Sequence, residues 1–127
     1  MSQYQSSKVP TPTLAPSKTV IISWLRSIFS NLPLNIKIED FGDGVVYCKI
    51  LNHFYGNPTH TKIIWAPKNE YEYVNNLKHT QSALLQLGIT IPFDVNRVSK
   101  RKFLENWALI NAFYRHFSSP PEETLPT

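Results

Sequence analysis

Phe103, Trp107, Ile110, Tyr114 and Phe117 recur at alternating intervals of four and three residues. That spacing follows the 3.6-residue turn of an α-helix, so all five side chains fall on one stripe. The pattern predicts a helix from about Lys100 to Phe117. An aromatic stripe of this kind has to be buried against other elements, and the rest of the chain must supply them.

It supplies more helices. Ser17 can cap a first helix with the stripe Val20, Ile21, Trp24, Leu25 and Ile28, stopped by Asn31-Leu32-Pro33. Asp43 can cap a second, carrying Val46, Ile50, Leu51 and Phe54 and ending at Gly56-Asn57-Pro58. A loop from Thr59 to about Lys68 follows, with Ile63, Ile64 and Trp65 as its apolar patch; Trp65 is expected to anchor it to the core. A third helix is expected from about Asn69 to Leu87, with Tyr73, Leu77, Leu84 and Leu87 on one face and Gly88 as terminator. Ile89-Thr90-Ile91 alternates like a strand, but Pro92 and its isolation favour an extended connector.

These elements make one domain, expected over residues 17–117. Residues 1–16 read as a flexible arm and 118–127 as a flexible Pro-rich tail, since Ser, Thr, Pro and Gln dominate both ends. Hydrophobic residues make up 42% of the 127, enough for one core without disulfides or a metal. The single cysteine, Cys48, excludes an intrachain disulfide, and with no secretion signal it predicts a reducing, cytoplasmic compartment. No apolar run is long enough to cross a bilayer.

Motifs for chemistry are absent from the pattern. His53, His60, His79 and His116 have no partners at metal-ligand spacing. Cys48 reads as a small buried hydrophobe. Glu39 and Asp40 read as a solvated turn, and Gly42, Gly44, Gly56 and Gly88 stand at element ends rather than in a phosphate loop. The expectation is a binding module rather than an enzyme, with no catalytic, cofactor or metal site.

The formal net charge of +4 favours anionic partners. Lys100, Arg101 and Lys102 cluster at the expected start of the last helix, with Arg97 just before. The positive end of the helix dipole disfavours exposed cations there by roughly 0.3–1 kcal/mol each. A solvated basic turn screened by water and salt would tolerate this; a surface kept open for an anionic partner would require it, and the second reading is preferred here. Lys62, Lys68 and Lys78 form a second basic set, whose meaning depends on whether the 59–68 loop packs near that turn.

Four segments resemble, in order, those of the end-binding family's calponin-homology domain. They are Ile22-Ser23-Trp24-Leu25, Gly44-Val45-Val46-Tyr47-Cys48, Glu72-Tyr73-Val74-Asn75-Asn76-Leu77-Lys78, and Val98-Ser99-Lys100-Arg101-Lys102-Phe103-Leu104-Glu105-Asn106. The resemblance spans about residues 20–117. It implies an all-α, calponin-homology-type compact domain of four main helices plus short ones, binding tubulin at growing microtubule ends through a basic face. Position by position, it assigns microtubule contact to Lys62, Lys68, Lys78, Lys100 and Lys102; Arg101, standing where the family has a glycine, adds charge to the same face and is expected as a sixth contact.

The resemblance further implies a cytoskeletal location on microtubules. With no heptads after Phe117, a monomer is expected of this chain. Asp40-Phe41-Gly42-Asp43-Gly44-Val45 also resembles the wider superfamily, so a microtubule-lattice or actin binder is the alternative. A nucleic-acid binder is disfavoured for want of a helix-turn-helix signal or an exposed aromatic ladder. No membrane partner is expected.

Overall fold

The structure, a computed structural model, describes residues 16–56 and 62–118. The expected arm and tail lie outside the described residues, apart from Pro16 and Ser118 at their inner ends.

The first helix, α1, runs Lys18–Ile28, and Ser17 caps it as its residue type predicts, accepting from the Val20 N–H at 3.2 Å. Ile21 and Leu25 are fully buried. Val20, expected in the buried stripe, is 42% exposed, because it lies about 100° round the helix from Ile21 and off the buried arc. The Arg26 guanidinium donates to the carbonyls of Leu32 (2.9 Å) and Pro33 (3.0 Å), folding the chain back beyond the end of α1.

A 3₁₀ helix over Ile38–Asp43 follows, where a solvated turn was expected. Asp40 Oδ2 accepts from the Lys37 N–H at 2.9 Å, and burial of Ile38 and Phe41 holds the element in the core. Helix α2, Val45–Tyr55, begins at Gly44, which sits at φ +85°. Asp43 therefore stands one residue before the cap position, yet its Oδ1 still accepts from the Val45 N–H at 2.9 Å. Val46, Ile50 and Leu51 are buried as their spacing requires, together with Tyr47 and Cys48. Phe54 is instead 41% exposed and stacks on Phe117, with ring centroids 4.9 Å apart.

Helix α3, Glu70–Gln86, is capped by Asn69 and followed by Gly88 at φ +73°. The next stretch is extended rather than paired in a sheet and presses Ile89 and Ile91 into the core. One turn of helix, α4 over Val95–Val98, precedes α5, Phe103–Phe117. The last helix thus starts three residues later than its sequence pattern suggests, and Lys100 and Arg101 belong to a turn.

Its buried face also differs from the expected stripe. Asn106, Leu109, Ile110, Asn111 and Phe113 are buried, whereas Phe103 is 43% exposed and Trp107 and Tyr114 are half-buried. The aromatic stripe forms the edge of the packed face: Phe103 stacks on Trp107 at 5.6 Å, and Trp24 meets Tyr114 edge-on at 5.3 Å. The 3₁₀ helix packs against α2, α3 and α5, while α1 packs on α5, so no sheet takes part among the described residues.

The approach of α2 to α3 is close enough to demand glycine. A Cβ on Gly44 would lie 2.6 Å from the Asn76 Cβ. Gly44→Ala should therefore cost about 2–4 kcal/mol, from the left-handed backbone and overpacking together. Gly56→Ala, at φ +69° with nothing within 4 Å of a Cβ, should cost only about 1–2 kcal/mol. Urea denaturation checks this, and equal losses would show that the close approach does not matter.

Candidate functional site

Two buried asparagines organise the basic segments. Asn76 on α3 is fully buried. Its Nδ2 donates to the carbonyls of Ile64 and Asp43, both at 2.9 Å, and its Oδ1 accepts from the Ile64 N–H at 2.8 Å. Burying an amide is costly unless its groups are paired, and here both N–H groups and the oxygen are used. One side chain thereby fastens the 62–68 segment and the start of α2 to α3. Asn75 Nδ2 holds the Lys62 carbonyl at 3.1 Å, and Glu72 Oε1 accepts from the Lys68 N–H at 2.7 Å. Ile63 provides the segment's apolar anchor; Trp65, expected in that role, is 45% exposed.

Asn106 on α5 does the same for the 98–102 turn. Its Nδ2 donates to the carbonyls of Val98 (3.2 Å) and Lys102 (3.0 Å), and its Oδ1 accepts from the Tyr47 hydroxyl at 2.9 Å. Complete burial, with a smaller contribution from Asp43, pushes the Tyr47 hydroxyl well above its ordinary range, so it remains a donor. Spacing alone did not single out either asparagine, though each lies within one of the four resembling segments.

Around this frame the six candidate cations take different places. Lys78 is exposed on α3, three residues beyond Asn75 and so on a neighbouring part of its surface. Lys62 and Lys68 are exposed on the segment bound to α3. Lys100 Nζ lies 2.7 Å from Glu70 Oε2 at the first turn of α3. Arg101 Nη2 lies 2.7 Å from Asp40 Oδ1, and its guanidinium carbon sits 5.5 Å from the centre of the Tyr73 ring. Lys102 is exposed at the N-cap position of α5, where no side chain caps the helix. Lys62, Lys68, Lys78, Lys100 and Arg101 therefore sit on α3 or contact it, and Lys102 extends the same turn. Among the described residues no carboxylate lies within ion-pair distance of Lys62, Lys68, Lys78 or Lys102.

Arg101 has an unusual backbone. Its φ of +59° makes it the one described non-glycine residue in the left-handed region, a conformation costing about 1–2 kcal/mol. Asp40, expected to be merely solvated, is the carboxylate that holds it. Cys48 is buried beside Thr80 Oγ1 on α3, and no group of three or more His, Cys, Asp or Glu side chains that could hold a metal ion is assembled among the described residues.

The calponin homology (CH) domain model matches residues 15–119. The chain belongs to the calponin homology domain family. Within it, the likeness is to the end-binding type. Protein BIM1 of Saccharomyces cerevisiae is 28% identical over 113 residues, covering 88% of this chain and 32% of that protein. Microtubule-associated protein RP/EB family member 1B of Arabidopsis thaliana is 37% identical over 89 residues (68% and 29%). Microtubule integrity protein mal3 of Schizosaccharomyces pombe is 31% identical over 93 residues (73% and 30%). This domain thus spans 29–32% of the length of these relatives. A solved chain from "Structural Basis of Microtubule Plus End Tracking by XMAP215, CLIP-170 and EB1" superposes with a TM-score of 0.72 at 25% identity, covering 84% of this CH domain chain and 96% of the solved one.

The carboxylate beneath the basic turn titrates abnormally. Burial raises the Asp43 pKa above 3.8, against the opposing effects of the Val45 N–H and Arg101. A carboxylate with a raised folded-state pKa binds its proton more tightly when folded. It therefore lowers stability as pH rises from 3.8 through the folded pKa, and the loss persists above it. Asp43→Asn keeps an acceptor for Val45 and removes this effect. The variant should be at least as stable as the parent at pH 7, with the difference shrinking towards pH 3.8. Thermal unfolding across that range checks it, and a variant clearly less stable at pH 7 would refute the assignment.

Proposed function

We propose that this CH domain is a microtubule-binding module that recognises growing microtubule ends. Its proposed binding surface is the basic face assembled around α3. One observation carries the reading. Two basic segments are brought to α3: Asn76 fastens 62–68 to it, and Asn106 on α5 holds the 98–102 turn, whose Lys100 and Arg101 side chains reach Glu70 and Tyr73 of α3. Lys62, Lys68, Lys78 and Lys102 are the proposed contacts, exposed and without carboxylate partners among the described residues. Lys100 joins them by exchanging Glu70 for a carboxylate of the partner. Two of the relatives, a microtubule-associated protein of Arabidopsis thaliana and a microtubule integrity protein of Schizosaccharomyces pombe, agree with this partner by name. On this reading the protein works on the cytoskeleton as a binding module.

Physically, the attraction is long-ranged and screened. Clustered positive charge speeds encounter with an anionic surface, and shorter contacts set the lifetime. With a Debye length of about 8 Å at physiological ionic strength, affinity should drop as salt is added. Charge reversal tests the face. Lys102→Glu should weaken microtubule co-sedimentation about tenfold or more, as expected for placing like charge against an anionic partner. Lys18→Glu, at the start of α1, should change it about twofold at most, through net charge alone. Equal losses would defeat the site, and decoration of actin filaments or binding of DNA in place of microtubules would defeat the partner.

A further inference from the structure

The geometry points to Arg101 as a positioning residue that aims Lys100 and Lys102, not as a contact to the partner; this rests on the basic face proposed above. Its guanidinium, though its side chain is 38% exposed, is engaged by partners of the same domain. Asp40 Oδ1 takes Nη2 at 2.7 Å, while the other Asp40 oxygen holds the Lys37 N–H at 2.9 Å. The same guanidinium covers the Tyr73 ring on α3. A single side chain therefore links the 98–102 turn to the 3₁₀ helix and to α3.

The backbone supports the same conclusion. The Arg101 N–H closes on the Val98 carbonyl at 3.1 Å, and its φ of +59° turns the chain between the two flanking lysines. The turn presses on Gly42: a Cβ there would lie 2.5 Å from the Val98 oxygen, 2.8 Å from the Arg101 Cγ and 2.9 Å from its Cα. The conformation of residue 101 thus sets the direction in which the chain carries Lys100 and Lys102. Arg101 holds a left-handed conformation that glycine adopts freely and alanine resists. An ion pair and a ring contact compensate for that conformation.

Two substitutions that delete the same charge separate the roles. Arg101→Gly should keep microtubule affinity within about twofold and leave its salt dependence unchanged, because glycine accepts the turn. Arg101→Ala should weaken binding several-fold at a temperature where circular dichroism shows both variants folded. Asp40→Asn adds one to the formal net charge of +4 and keeps an acceptor for Lys37. If Arg101 were a contact, this would free it and strengthen binding beyond the roughly twofold that net charge alone can give; as a positioning residue its release leaves affinity within that range or lower. Lys102→Ala serves as the control. Arg101→Gly losing affinity and salt dependence as Lys102→Ala does, Arg101→Ala binding normally, or Asp40→Asn binding more than about twofold more tightly would each overturn the inference. Lys102→Ala binding normally would instead overturn the basic face itself.

Discussion

The buried amide of Asn76 is the constraint on which the arrangement depends. It sits on α3 with no exposed surface and joins three pieces of chain: the 62–68 segment, the junction before α2, 33 positions away, and α3 itself. An apolar residue of similar size could fill the volume, but would leave the backbone groups of Ile64 and Asp43 without those partners. A buried polar group left unpaired costs about 1–3 kcal/mol. The amide therefore specifies one register of the segment on the helix, where hydrophobic contact alone would allow several. Gly44 belongs to the same constraint, because a larger residue would push α2 away from Asn76.

Asn106 repeats the device at the other basic segment. It holds the carbonyls at both ends of the turn and is itself oriented by Tyr47 from α2. Since Asn76 also holds the start of α2, both segments are referred to the same helix pair. A turn bearing Lys100, Arg101 and Lys102 would otherwise tend to spread under its own repulsion and the unfavourable dipole of α5. The amide network, fully satisfied and shielded from water, resists that tendency.

Much of this could be read in the sequence. Capping chemistry is local, so Ser17 and Gly56 mark helix ends correctly. Apolar spacing locates α1, α2 and α3 to within a few residues. The failures are those of tertiary context. The stripe of Phe103, Trp107 and Tyr114 follows helical spacing, yet lies at the edge of the packed face, because Asn106 and Asn111 take buried positions that a hydrophobic pattern reserves for apolar residues. Lys100 and Arg101 fall in a turn because a positive φ at Arg101, which local pattern does not encode, ends any helix there. Asp40 looks solvated until the fold brings Arg101 to it across 61 positions. The lysines of the candidate face were legible as charge and by resemblance; the asparagines that place them were legible only as members of the resembling segments.

The cations of the face are not equivalent, and the difference follows from what each would give up on binding. Lys62, Lys68, Lys78 and Lys102 have no carboxylate partner among the described residues, so they lose only water and side-chain freedom. Lys100 must leave Glu70, but that pair is exposed, with side-chain accessibilities of 54% and 48%. Such pairs are worth about 0–1 kcal/mol, so an incoming carboxylate can displace Glu70 at little cost. Arg101 would have to abandon Asp40 and Tyr73 together and release a backbone held in the left-handed region. The same positive charge thus serves two ends within three consecutive residues. At Lys100 and Lys102 it is held loosely enough to be exchanged, and at Arg101 a ring contact and a left-handed backbone, added to a partly exposed ion pair, turn it to the geometry of its neighbours.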